Sequence, residues 1–199
     1  SGATWTHGIG APVAQTAVID WNKTTNLLPY SEEFNQWTQF GTGASITANN
    51  TTAPDGLTTA DKFTFPAGAR TGYLVSASVT ASVQYRFGIW LKADSATTCR
   101  IFVDQGCANF LGAVVANVTT EWQLFSVDIT PVSTANAYFG IDATIDTITA
   151  CGSLNVASTF YAWGAFAHLA TQGDAYVKTG ATAQTSDVLL PQGLTTGRD

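Results

Sequence analysis

Charge is the scarcest ingredient of this chain. Only 11% of its 199 residues are Asp, Glu, Lys or Arg, less than half the usual share of about a quarter. Hydrophobic residues reach 45% and aromatics 12%, so intrinsic disorder, which needs high charge and few aromatics, is excluded. Lys and Arg number 8 against 14 Asp and Glu, a net charge of −6 and a pI near 4.6. A phosphate backbone would be repelled overall, which removes nucleic acid from the expected partners. The polar surface must come largely from Thr, Ser, Asn and Gln. No apolar run approaches the ~18 residues of a membrane span, so insertion into a membrane is not expected. Methionine is absent even from position 1, and the chain is accordingly expected to be a processed product or an excised fragment. The cysteines, Cys99, Cys107 and Cys151, are odd in number and form no C-x-x-C pair. Buried free thiols are the expectation, because an unpaired Cys behaves as a small hydrophobe.

Catalytic signatures are missing as well. The histidines, His7 and His168, have no metal-ligand spacing. There is no G-x-S-x-G elbow and no P-loop, and Gly8-x-Gly10 and Gly41-x-Gly43 lack the third glycine of a dinucleotide fingerprint. No pair of carboxylates stands apart from the others as a glycosidase pair. The adjacent Glu32 and Glu33 diverge in direction on a helix and suit the first turn after an N-cap at Ser31 better than acid–base work. A non-enzyme without a cofactor is expected. A structural calcium held by loop oxygens, with Asp142 and Asp146 as donors, leaves no sequence spacing and stays open.

What is present reads as β structure. Residues 1–25, with Trp5, Trp21, paired glycines and Pro12, are expected to form an extended arm with a short strand at Val18–Trp21. The arm's tryptophans should dock on the body or on a neighbouring subunit. Residues 26–190 form the body and 191–199 a tail. A helical turn carrying Phe34 and Trp37 is expected to close one end of the core. Beyond it, Gly, Pro, Asp and Asn clusters such as Ala53-Pro54-Asp55-Gly56 punctuate strands expected at Asp61–Phe65, Gly72–Val75, Val83–Lys92, Arg100–Asp104, Gly112–Val118, Trp122–Ile129, Asn136–Ile141 and Thr159–Leu169. The fold class is all-β, an antiparallel two-sheet β-sandwich, with a jelly roll favoured.

Alternation then assigns faces. In Val83–Lys92, the residues Val83, Tyr85, Phe87, Ile89 and Leu91 point to the core, which sends Arg86, Gly88, Trp90 and Lys92 outward. Ile101 and Val103 point inward, so Arg100, Phe102 and Asp104 point out. Likewise Phe139 and Ile141 oppose Tyr138, Gly140 and Asp142. The candidate ligand site is therefore the outward Trp90 flanked by Arg86, with Tyr138, Asp142, Arg100, Phe102 and Asp104 as its neighbours. Sugar rings stack on aromatic faces while charged groups bond their hydroxyls. The competing expectation is that Trp90 packs beneath a loop or against another subunit.

Several stretches, taken in order, resemble the β-sandwich modules of tail fibres, tailspikes and other virion proteins of tailed bacteriophages, which are similar to jelly-roll carbohydrate-binding modules. They are Asn26–Phe34 with Trp37, Ala53–Lys62, Arg86–Ala93, Thr119–Gln123, Tyr161–Ala165, and Tyr176–Thr179 followed by Ser186–Leu189. The resemblance spans Asn26 to Leu190. It implies a module on a virion appendage, in many relatives part of a trimer, and it assigns no binding residues. His168-Leu169 stands where relatives often carry an acidic residue, which weakens any cation site carried over from them.

Three functions follow as expectations: a non-catalytic module binding a bacterial surface glycan from a phage tail; a structural virion domain contacting other subunits, with a homotrimer in view; and an accessory module of a polysaccharide-degrading enzyme.

Overall fold

The computed structural model describes residues 24–106, 109–146, 154–172 and 176–186. The expected arm strand at Val18–Trp21, His7, Cys107, Cys151 and the tail lie outside them. The strands are β1 (Thr25–Asn26), β2 (Thr38–Phe40), β3 (Ser45–Thr51), β4 (Ala60–Phe65), β5 (Gly72–Val79), β6 (Tyr85–Lys92), β7 (Thr97–Asp104), β8 (Phe110–Val118), β9 (Gln123–Ile129), β10 (Ala135–Asp142), β11 (Ser158–Leu169) and β12 (Gln184–Thr185). One five-stranded sheet has the order β2-β5-β10-β7-β8, the other β3-β4-β11-β6-β9, and β1 pairs with β12. All pairings are antiparallel, and the expected two-sheet sandwich is the fold. Among the described residues no helix is long and apolar enough to cross a membrane.

Alternation explains how the sheets meet. Tyr85, Phe87, Ile89 and Leu91 of β6 are buried facing Ile101, Val103, Phe139 and Ile141 of the other sheet. Phe63, Phe65 and Phe160 stack on one another with centroids 5.4–6.0 Å apart, and Tyr73 meets Phe63 edge-on at 5.6 Å. Such pairs add to the stability gained from burying the rings alone. Cys99 is a buried free thiol in this core, as expected, and burial raises its pKa well above the usual range.

A bulge adjusts β11. The register with β6 shifts between Trp163 and Phe166, where Gly164 takes φ +64°. One extra residue is accommodated there, so Trp163 and Phe166 both face outward while Ala162, Ala165 and Ala167 stay in the core. Glycine reaches that φ at low cost.

The expected N-terminal helical turn forms, but its expected Ser31 cap does not. It is a single 3-10 turn, Phe34–Gln36, with no side-chain cap. Ser31 instead holds a later part of the chain: its Oγ accepts from the Thr179 N–H at 2.8 Å and bonds the Tyr176 hydroxyl at 2.8 Å. Glu32 accepts from the Tyr176 hydroxyl at 2.8 Å and from Lys178 Nζ at 2.7 Å. A buried serine that must satisfy a distant backbone N–H is not free to cap its own turn.

Candidate functional site

The proposed cluster around Trp90 divides between two outer faces. Trp90 and Arg86 lie on β6, whereas Arg100 and Asp104 lie on β7 and Tyr138 and Asp142 on β10. These strands belong to different sheets, and a core about 10 Å thick separates them. The six residues therefore do not form one site. Alternation had assigned every outward direction correctly, but it carries no information on which strands share a sheet.

On the second sheet, Trp90 is half-buried. It meets Trp163 edge-on at 6.3 Å and Phe166 at 6.4 Å. Trp90, Trp122 and Tyr176 pack around Trp163, Ala53 and Ala60. The loop between β3 and β4 ties this cluster down: Trp122 Nε1 donates to the Thr52 carbonyl at 3.1 Å and Trp163 Nε1 to Thr59 Oγ1 at 3.0 Å. Arg86 makes a two-point ion pair with its cross-strand neighbour Asp128, at 2.7 and 3.0 Å, and this guanidinium holds the Asp128 carboxyl below its usual pKa.

On the first sheet, outward-pointing does not mean exposed. Arg100, Phe102 and Asp142 have no accessible surface. Asp142 accepts from Arg100 Nε at 3.0 Å and Nη2 at 2.7 Å, from Arg70 Nε at 2.9 Å, and from both the N–H and hydroxyl of Thr144 at 3.1 Å. Arg100 Nη1 reaches the Asp146 carbonyl at 2.6 Å. Thr144 and Asp146 directly follow β10, and their contacts cap the outer side of the Arg100–Asp142 pair. The Arg70 guanidinium lies over the rings of Phe40, at 4.5 Å, and Phe102, at 5.0 Å. Two cations and five donated hydrogen bonds occupy Asp142, the opposite of a cation-binding arrangement. Among the described residues no group of three or more His, Cys, Asp and Glu gathers to hold a metal.

What remains open is a hollow of about 260 Å³ lined by Phe40, Arg70, Leu74, Phe102, Asp104, Gly106 and Tyr138. Phe102 lies flat on Gly140 and Phe40 on Gly72; a Cβ at either glycine would overlap the ring above it. The glycines thus set the depth of the floor. Tyr138, 37% exposed, stands at the rim directly across from Asp104 in the β10–β7 register. Asp104 is only 7% exposed, and its Oδ1 accepts the Gly106 N–H at 2.9 Å. Burial raises its pKa, opposed by that backbone bond and by the charges of Arg70 and Arg100. Among the described residues, Asp104 Oδ2 takes no hydrogen bond.

Sequence reading reached Tyr138, Asp104 and Phe102 of this hollow and missed Phe40, Arg70, Leu74 and Gly106. Phe40 sits on a short edge strand with no alternation to betray it. Arg70 enters from the β4–β5 connection, where only the folded chain brings it over Phe102.

No protein-family model and no curated protein matches the chain. Solved structures do match it. The enzymatically active domain of tailspike protein 4 of bacteriophage CBA120 superposes with a TM-score of 0.51 at 16% identity, over 72% of this chain and 21% of that one. TmCBM61, solved with β-1,4-galactotriose, gives 0.52 at 16% identity, over 72% of this chain and 98% of the module. The CBM22-1–GH10 modules of Clostridium thermocellum xylanase 10B, complexed with xylohexaose, give 0.52 at 14% identity, over 80% and 30%. The chain spans less than a third of the tailspike and xylanase chains and nearly all of TmCBM61. At these identities the likeness is one of fold alone: a two-sheet jelly-roll sandwich like those it superposes on.

Proposed function

We propose that the chain is a non-catalytic carbohydrate-binding module whose sugar site is the hollow on the β2-β5-β10-β7-β8 sheet. The observation that carries this reading is the pairing, across one strand register, of the exposed Tyr138 ring with the recessed Asp104 carboxylate, whose Oδ2 is unbonded among the described residues. A sugar ring lays its C–H face on an aromatic and offers hydroxyls to a carboxylate, so the two groups supply both halves of saccharide recognition. Arg70, Phe40 and Phe102 form the floor beneath them.

The finer reading is attachment of a bacteriophage tail appendage to a bacterial surface glycan, with other virion subunits, in a homotrimer, as further partners. The ordered sequence resemblance and the tailspike neighbour support it. The xylanase neighbour, in which a similar module accompanies a GH10 module, supports a second context: an accessory module of a polysaccharide-degrading enzyme.

A glycan array followed by titration of Tyr138→Ala, Asp104→Asn and Trp90→Ala tests the site. The expected outcome is a loss of about tenfold or more, or roughly 1.4 kcal/mol, for the first two, with Trp90→Ala close to wild type. Loss through Trp90→Ala alone would move the site to the second sheet. Silence on every glycan would favour the assembly role, which sedimentation of the intact chain would then probe.

A further inference from the structure

We infer that the hollow selects a neutral sugar residue bearing a methyl group, either the C6 methyl of a 6-deoxyhexose or the acetyl methyl of an acetamido sugar. This rests on the reading that the hollow is the saccharide site.

Three observations carry it. The first is the balance of lining chemistry: among the described residues the walls come from Phe40, Leu74 and Tyr138 above the buried Phe102, with Asp104 and Arg70 as the charged groups. A fully hydroxylated hexose would bring more hydroxyls than these groups can satisfy, and each buried hydroxyl without a partner weakens binding. A methyl placed against the part-exposed Leu74 and Phe40 removes that mismatch and adds apolar burial. The second is rigidity. Arg70 is stacked over Phe40 and Phe102 and tied to Asp142 through Nε, so its guanidinium cannot swing to follow an arbitrary hydroxyl pattern. The apolar wall is consequently a fixed element of selection. The third is charge. Arg70 and Arg100 are balanced by Asp142 and Asp104, and the carboxylate that lines the hollow is the recessed Asp104. A uronate carboxylate entering there would meet a carboxylate, which disfavours acidic sugars. The volume, about 260 Å³, falls at the small end of ligand pockets and suits one residue, with the rest of a glycan running out past Tyr138.

Titration calorimetry and saturation-transfer NMR of the intact chain, using matched sugars, test this. The pairs are L-rhamnose against L-mannose, L-fucose against L-galactose, and N-acetylglucosamine against glucose, with glucuronic acid as the acidic arm. In at least one pair the methyl-bearing member is expected to bind about tenfold more tightly, the discrimination one apolar group supplies. Its methyl protons should receive the strongest transfer, and Leu74→Ser, with its fold checked by circular dichroism, should shrink the preference. The deoxy pairs and the acetamido pair identify which methyl is read. Equal binding within every pair, or tighter binding of glucuronic acid, would overturn the inference while leaving the sugar site standing. Failure of all these sugars and of every arrayed glycan to respond to Tyr138→Ala would overturn both.

Discussion

Arg100 and Asp142 have no contact with solvent, and their ion pair exists because each satisfies the other at close to ideal distances. Removing one member strands the other: Asp142→Ala leaves two guanidiniums without their shared carboxylate and should cost about 3–5 kcal/mol in chemical denaturation. A loss under about 1 kcal/mol would mean that the segment after β10 does not seal the pair from water. Asp61 is the opposite case. Its oxygens accept the N–H groups of Phe34 at 3.1 Å and Asn49 at 2.9 Å, yet desolvation dominates and raises its pKa from 3.8 to about 6. The folded chain therefore holds this proton more tightly than the unfolded one, and the associated stability, complete below the unfolded value of 3.8, is lost as pH rises to about 6. Melting temperatures from about pH 3 to 8 should contain a downward step between about pH 4 and 6. In Asp61→Asn that step should vanish; its persistence would assign it to another group.

At the scale of elements, the segment around Tyr176–Thr179 acts as a latch across the start of the body. Ser31 and Glu32 together take the Thr179 N–H, the Tyr176 hydroxyl and the Lys178 ammonium. The buried hydrogen bonds matter more than the ion pair, because Lys178 is 60% exposed and water screens it. Ser31→Ala, which orphans the Thr179 N–H, should destabilise by about 1–3 kcal/mol, whereas Lys178→Ala should cost under about 1 kcal/mol. Limited proteolysis would detect the released segment in the first variant alone. The strands that sequence reading recovered, such as β6, β7, β10 and β11, are those with apolar alternation or long apolar runs. β2 and β3 were missed because edge strands such as Thr38–Phe40 and Ser45–Thr51 are mostly exposed, so Thr, Asn and Ser replace the apolar signal.

For the whole molecule, the scarcity of charge has a measurable correlate at the hollow. With Arg70 and Arg100 balanced against Asp142 and Asp104, affinity for a neutral glycan should change by less than about twofold between roughly 0.05 and 0.5 M salt, since no net ionic attraction is screened. A steep fall in affinity with salt would instead indicate a polyanionic ligand.

The sequence by itself determined the all-β sandwich and the side-chain directions along β6, β7 and β10, and with them the outward polar and aromatic residues of those strands, because alternation is a local property of extended backbone. Only the tertiary structure decided which outward residues meet, since sheet membership depends on pairings between strands far apart in the chain. Trp90 and Arg86 went to one face, and Tyr138 and Asp104 to the other. It also decided which outward residues reach water. Arg70 and the segment after β10 cover Arg100, Phe102 and Asp142, leaving the Tyr138 rim and the recessed Asp104 open, and that cover comes from connections whose paths no strand period encodes.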